Sequence, residues 1–141
     1  MANLRPSVLD DLGIVPALSW FSRETEKAYP GTSVQFSGTA EEPEVPDELK
    51  IVLFRVVQES VKNAIRHGKS NRIQIGLERN NGWLRLNVAD NGDGFESLKK
   101  SASGGIGLDS MQQRVDSTGG IFSISSTPGS GTLVKAEWRM G

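Results

Sequence analysis

The sequence contains no cysteine among its 141 residues, and this absence excludes several kinds of chemistry. Disulfide bonds, thiolate zinc sites, iron–sulfur clusters and cysteine nucleophiles all require that side chain. The lack of cysteine fits a protein of a reducing compartment.

Excess charge and long apolar runs are absent as well. Sixteen basic residues face seventeen acidic ones, and the formal net charge is −1. Nucleic-acid-binding proteins usually carry a basic stripe, and none is visible here, so we expect no nucleic-acid partner. No apolar stretch approaches the roughly 20 residues that cross a bilayer, and the N-terminus is not a signal peptide. We therefore expect no membrane contact.

The remaining composition is that of an ordinary globular protein: 36% hydrophobic and 23% charged residues, with 16 glycines. The length fits a single domain over residues 1–141. Helical spacing and breakers predict helices from Gly13 to before Pro30, from Asp47 to before Gly68, and over about residues 108–118. Alternating patterns predict strands over 32–38, 71–79, 83–90, 120–126 and 132–139. Residues 4–13 are interpreted as a loop or a helix end, and residues 39–46 as a solvated loop. Helices on one side of a mixed sheet give a two-layer α/β sandwich.

The long helix carries Glu59, Asn63 and His67 at spacing i, i+4, i+8. These residues form one polar line along the margin of the apolar stripe. An acid and an amide oxygen suit a hard cation such as Mg²⁺, which usually keeps several waters and shares phosphate oxygens. Taken alone, the line is better interpreted as a solvated helix edge with i,i+4 hydrogen bonds.

Asp90 ends a strand in which Leu84, Leu86 and Val88 share one face with it. A carboxylate on the core-facing side needs a donor from the domain or from a ligand, such as the exocyclic amino group of a purine. The alternative is an aspartate that caps the turn at Asn91-Gly92.

Glycines cluster in the second half of the chain, at Gly92 and Gly94, over 104–107, and at Gly129 and Gly131. Such clusters allow close backbone approach to phosphate, and the polar stretch between the first two resembles a lid. The last cluster also fits a plain hairpin turn. Neither a P-loop nor a Rossmann fingerprint occurs.

The order of these motifs resembles the ATP-binding catalytic domain of bacterial sensor histidine kinases, the fold shared with gyrase B, Hsp90 and MutL. The resemblance covers about residues 45–139 and rests on Glu59-x-x-x-Asn63, Asp90-x-Gly-x-Gly94, Gly105-x-Gly107 and Gly131-Thr132. The segment Leu4–Gly13 resembles the junction that follows the dimerisation helices in the subfamily paired with NarL-type response regulators.

The resemblance implies catalytic and metal-binding roles for Asn63, which helps to coordinate Mg²⁺, and for Glu59, which acts as a base or a ligand of metal-bound water. His67 and Lys69 match positions near the phosphates. Asp90 matches the aspartate that accepts the adenine amino hydrogen, and Thr132 matches a polar residue near the adenine. The remaining nucleotide-binding positions lie in the two glycine boxes: Gly92, Gly94, Gly105, Ile106, Gly107 and Leu108. The stretch between Phe95 and Gly104 matches a short ATP lid.

The implied function is to bind ATP with Mg²⁺ and to donate the γ-phosphate to a histidine on a separate dimerisation domain, with a response regulator downstream. The only histidine, His67, lies inside the nucleotide motif. We therefore expect residues 1–13 to be the remnant of a junction to a missing phosphoacceptor domain. The isolated domain should be cytoplasmic, monomeric and unable to phosphorylate itself.

Three alternatives remain at this point. An anti-sigma-factor serine kinase has the same fold, and a nucleotide-binding regulatory module would bind without transferring phosphate. A structural α/β sandwich without a ligand is the third, and it requires four separately placed motifs to coincide.

Overall fold

The computed structural model describes residues 7–93 and 108–141. The described helices are α1 (Ser7–Leu12), α2 (Ile14–Ala28), α3 (Asp47–Arg66) and α4 (Leu108–Asp116), with a 3₁₀ turn at Glu42–Glu44. The described strands are β1 (Ser33–Gly38), β2 (Arg72–Asn80), β3 (Trp83–Asp90), β4 (Ile121–Thr127) and β5 (Gly131–Arg139). The helix and strand predictions are confirmed to within about two residues at most ends.

The described strands form one mixed sheet in the order β1-β2-β3-β5-β4. β1 pairs with β2 in parallel, and the other pairs are antiparallel. Helix α2 packs on β1, α3 packs on β2 and β3, and α4 packs on β4. The predicted two-layer α/β sandwich is therefore confirmed. Within the described residues, no helix is both long and apolar enough to cross a bilayer.

Helix α3 carries the centre of the core. Pro46 precedes it, and Asp47 and Glu48 in its first turn complement the positive end of the helix dipole. Its predicted apolar stripe is buried against the alternating inner residues of the strands. This packing fixes one polar edge of α3 beside the carboxyl end of β3, where the candidate site lies.

The loop over residues 39–46 differs from its prediction, because Glu42 is not simply solvated. Its Oε2 accepts a hydrogen bond from the Ile14 N–H at 2.8 Å, and its Oε1 accepts one from the Val15 N–H at 2.9 Å. The Lys50 ammonium lies 2.9 Å from Oε2. Glu42 therefore caps the N-terminus of α2 from 28 residues away, a contact that local sequence patterns do not reveal.

These contacts set the charge state of the pair. Burial alone would raise the pKa of Glu42, but the Val15 N–H, the Lys50 ammonium and the Ile14 N–H together hold that pKa below its usual value. The hydrogen bonds from Lys50 to Glu42 and Asp47 raise the pKa of the Lys50 ammonium. The cap is therefore an ionised carboxylate at neutral pH.

Candidate nucleotide site

A small cavity of about 20 Å³ lies between α3 and the sheet. It brings together three residues that the sequence analysis selected: Asn63 from α3, Asp90 from β3 and Thr132 from β5. The other lining residues are Ser60, Ala64, Gly68, Val88, Ile124 and Val134. Three polar groups from three elements thus converge on one mostly apolar space, as in many ligand sites.

Asp90 is placed by the pairing of β3 with its neighbours. It lies opposite Ile73 on β2 and opposite Thr132 on β5, so the carboxyl group stands beside both strands. The Ser70 hydroxyl and the Gly92 N–H each donate a hydrogen bond of 2.8 Å to Oδ1. Among the described residues, no hydrogen bond reaches Oδ2. The turn-capping interpretation of Asp90 is confirmed by the bond from the Gly92 N–H, and the residue also lines the cavity, while its binding to a ligand donor stays a prediction.

A second set of bonds joins the same two segments, residues 68–72 and residues 90–93, which we call the clasp. Asn91 Oδ1 accepts hydrogen bonds from the Asn71 and Arg72 N–H groups at 3.2 and 3.0 Å. The Asp93 N–H donates to the Gly68 carbonyl at 2.6 Å. The clasp therefore ties the end of α3 to the end of β3, so the Asn63 and Asp90 sides of the cavity are fixed to each other.

Gly92 is buried at the tightest point of the clasp. A Cβ atom at this position would overlap the Gly68 carbonyl oxygen and the Ser70 Oγ. Only glycine allows the two segments to approach this closely. The first glycine box thus has a packing role here in addition to any contact with a nucleotide.

His67 and Lys69 lie where the chain leaves α3, and both are exposed. His67 caps the helix through its N–H, which donates to the Asn63 carbonyl at 2.9 Å. Lys69 has a left-handed φ of 54°, which turns the chain toward β2. Neither residue lines the cavity, so their predicted position near the phosphates stays a prediction.

Glu59 does not join Asn63 and Asp90 at the cavity. It lines a separate groove of about 330 Å³, bordered by α2, α3 and α4, which shares no lining residue with the cavity. Its carboxylate lies 3.8 Å from the Lys62 ammonium. The predicted role of Glu59 as a base or metal-water ligand stays a prediction.

Two further predicted residues lie in the described part of the chain. The Thr132 Oγ1 is 2.8 Å from the Ser126 Oγ, so the threonine hydroxyl is oriented by β4. Leu108 is buried as the first residue of α4. The predicted positions Gly94, Gly105, Ile106 and Gly107, and the proposed lid, lie outside the described residues.

Sequence reasoning missed Ser70 and the asparagine pair of the clasp. The Asn91 Nδ2 donates to the Asn71 Oδ1 at 2.8 Å, which closes the clasp from the outer side. These residues are polar and lie next to predicted element ends. Their positions in the sequence give no sign that the two segments, which are 20 residues apart, are in contact.

The family model described as "Histidine kinase-, DNA gyrase B-, and HSP90-like ATPase" matches residues 48–141. The chain belongs to this ATPase family. Membership of this ATPase family implies ATP binding, and it confirms the resemblance drawn from the motifs. The narrower assignment to a NarL-type subfamily stays a prediction.

Curated relatives with similar sequences are histidine kinases. The chain is 34% identical over 134 residues to the signal transduction histidine-protein kinase/phosphatase DegS of Bacillus subtilis, covering 92% of this chain and 35% of DegS. It is 36% identical over 134 residues to the sensor histidine kinase MctS of Rhizobium johnstonii, covering 93% of this chain and 29% of MctS. The chain therefore spans about a third of the length of these relatives.

Solved structures support the same fold. The histidine kinase domain of the blue-light-activated kinase from Erythrobacter litoralis matches with a TM-score of 0.73 at 21% identity, covering 87% of this chain and 59% of that one. The catalytic domain of histidine kinase ThkA matches with a TM-score of 0.66 at 18% identity, covering 89% of both chains. At these identities the likeness shows the fold.

Proposed function

We propose that this domain binds ATP with Mg²⁺ and donates the γ-phosphoryl group to a histidine on a separate dimerisation domain of a sensor kinase. The observation that carries the proposal is the convergence of Asn63, Asp90 and Thr132 on one cavity. Family membership supports the nucleotide, and the sensor kinases among the relatives support the acceptor.

Asp90 is the residue that we propose to recognise adenine. Its Oδ1 is engaged by two donors of the chain, and Oδ2 remains to accept the exocyclic amino group of the base. The apolar walls at Ala64, Val88 and Val134 suit the faces of a purine ring. An adenine ring is larger than a cavity that holds about one water, so we expect binding to move the walls apart.

The cation would be held by few protein atoms. Among residues 7–93 and 108–141, no group of three or more histidine, cysteine, aspartate or glutamate side chains is placed to hold a metal. The Asn63 amide oxygen fits a Mg²⁺ ion that takes its other ligands from phosphates and water. Glu59 is the proposed base or ligand of metal-bound water, although its side chain lines the neighbouring groove rather than the cavity. Bound Mg²⁺ would neutralise charge that develops on the transferred phosphoryl group.

The domain's own residues then bind, orient and shield the nucleotide. Asp90 and Thr132 fix the base, the clasp fixes Asp90 relative to the end of α3, and His67 and Lys69 are proposed to face the phosphates. The acceptor imidazole comes from another domain, because the only histidine of the chain is His67. Residues 1–13 are proposed to connect to that domain, and a response regulator is the proposed downstream partner.

The test is calorimetric titration with ATP in the presence and absence of Mg²⁺. We expect Asn63→Ala to lose about tenfold in affinity with Mg²⁺ and little without it, because only the metal contact is removed. Asn80→Ala, on the exposed end of β2, is the matched control and should bind as the unmodified domain does. Equal affinity of Asn63→Ala and the control with Mg²⁺ would remove Asn63 from the site.

Transfer is tested by adding a histidine-bearing dimerisation domain of a related kinase and radiolabelled ATP. Acid-labile phosphate on that domain supports histidine transfer. Acid-stable phosphate on an added serine substrate would instead support the serine-kinase alternative, and tight binding without transfer would support the regulatory module.

A further inference from the structure

Ser70 is not one of the residues that the sequence motifs select, yet it contacts the carboxylate of Asp90, which we propose to recognise adenine. It is 6% exposed, and its hydroxyl donates to Asp90 Oδ1 at 2.8 Å. We propose that Ser70 is a positioning residue that sets the preference of the site for a 6-amino purine. This inference rests on the proposed function of Asp90.

The first step of the argument is that Ser70 is itself fixed. Its N–H donates to the Ala64 carbonyl at 2.9 Å, which ties the residue to the end of α3. Its buried hydroxyl must donate toward Asp90, because a carboxylate only accepts hydrogen bonds. Ser70 thus links the helix that carries Asn63 to the carboxylate at the end of β3.

The second step concerns the freedom of the carboxylate. The terminal torsion of an aspartate is broad, so one hydrogen bond leaves the plane of the carboxylate poorly defined. The Gly92 N–H supplies one donor to Oδ1 and Ser70 supplies the other. Two donors on one oxygen fix the plane and therefore the direction of Oδ2.

The third step links that direction to specificity. An acceptor with a fixed direction favours a base that carries an amino group. When a base without that group binds, the acceptor is left without a hydrogen-bond partner. Loss of the Ser70 donor should weaken binding of ATP and leave binding of an analogue without the amino group almost unchanged. A purely structural role would weaken both nucleotides equally.

The experiment compares ATP with purine riboside 5′-triphosphate, which lacks the 6-amino group of ATP. Titrations with Mg²⁺ are made on the unmodified domain, Ser70→Ala and Ser70→Cys. The cysteine variant nearly preserves volume but has a weak donor, which keeps the test available if the alanine variant does not fold. Ser22→Ala is the matched control, since Ser22 is also buried but its hydroxyl donates to Leu18 within α2.

We expect the Ser70 variants to lose about three- to tenfold in affinity for ATP, with an unchanged affinity for the analogue and an unchanged control. Equal losses for both nucleotides, or no loss for either, would overturn the inference. If the unmodified domain does not prefer ATP to the analogue, the proposed role of Asp90 fails. If it does and Ser70 has no effect on the ratio, only the role of Ser70 fails.

Discussion

Glu42 and Asp90 are both partly buried carboxylates that accept backbone N–H groups, but they differ in how their oxygens are used. Glu42 engages both oxygens with donors of the chain: Ile14 and Lys50 on Oε2, and Val15 on Oε1. Asp90 receives both of its described hydrogen bonds on Oδ1. The comparison contrasts a carboxylate whose two oxygens are both engaged within the fold with one whose second oxygen we propose to accept a hydrogen bond from a ligand.

The largest effect is expected when Asp90, the carboxylate that we propose to bind the ligand, is changed. In Asp90→Asn, the amide oxygen should take the two donors at the Oδ1 position, which turns the NH₂ group toward the cavity. A donor would then face the adenine amino group, and ATP affinity should fall by about 10- to 100-fold. Titration calorimetry with ATP and purine riboside 5′-triphosphate measures the change.

The affinity for the analogue should change little in Asp90→Asn, and the melting temperature without nucleotide should stay within a few degrees of the unmodified domain. Unchanged ATP affinity in a folded variant would contradict the assignment of Asp90.

The opposite result is expected for the structural carboxylate. Glu42→Ala leaves the Ile14 and Val15 N–H groups without their cap and removes one of the two carboxylate partners of Lys50, so the domain should lose about 1–3 kcal/mol of unfolding free energy. Urea denaturation measures the loss. The exposed Glu78→Ala serves as the control and should be nearly neutral. A large loss of ATP affinity in folded Glu42→Ala would break the distinction between the two carboxylates.

The contribution of Glu42 should also depend on pH. Because the pKa of this carboxyl is held below its ordinary value of 4.5, its stabilising effect is present above that value and is lost as pH falls through the folded-state pKa. The difference in unfolding free energy between the unmodified domain and Glu42→Ala should therefore shrink between about pH 6 and about pH 3. A difference that stays constant over this range would show that the cap does not depend on its charge.

The sequence predicted the fold well because its periodic elements are long and their ends are marked. Helix α3 has a full apolar stripe between Pro46 and Gly68, and the β2–β3 hairpin has alternating residues around Asn81-Gly82. The two-residue period of a strand also predicted that Asp90 lies on the same face of β3 as the buried leucines.

The clasp and the Glu42 cap were not predictable in the same way. Glu42 reaches Ile14 across 28 residues, and Ser70 reaches Asp90 across 20. Such contacts depend on tertiary packing of α3 against the sheet, which no local pattern contains. The polar line on α3 was also only partly predictable. The helical spacing placed Glu59 and Asn63 on one line, but in the packed structure Glu59 lines the groove and Asn63 lines the cavity.

The central claim, that the nucleotide binds between Asn63 and Asp90, is tested most directly by a nuclear magnetic resonance titration of the ¹⁵N-labelled domain with ATP and Mg²⁺. The largest amide shifts are expected at Ser70, Gly92 and Thr132, while Ile14 and Val15 beside Glu42 should not move. Shifts confined to the separate groove at Lys62 and Arg114, with none at Ser70 or Gly92, would contradict the account.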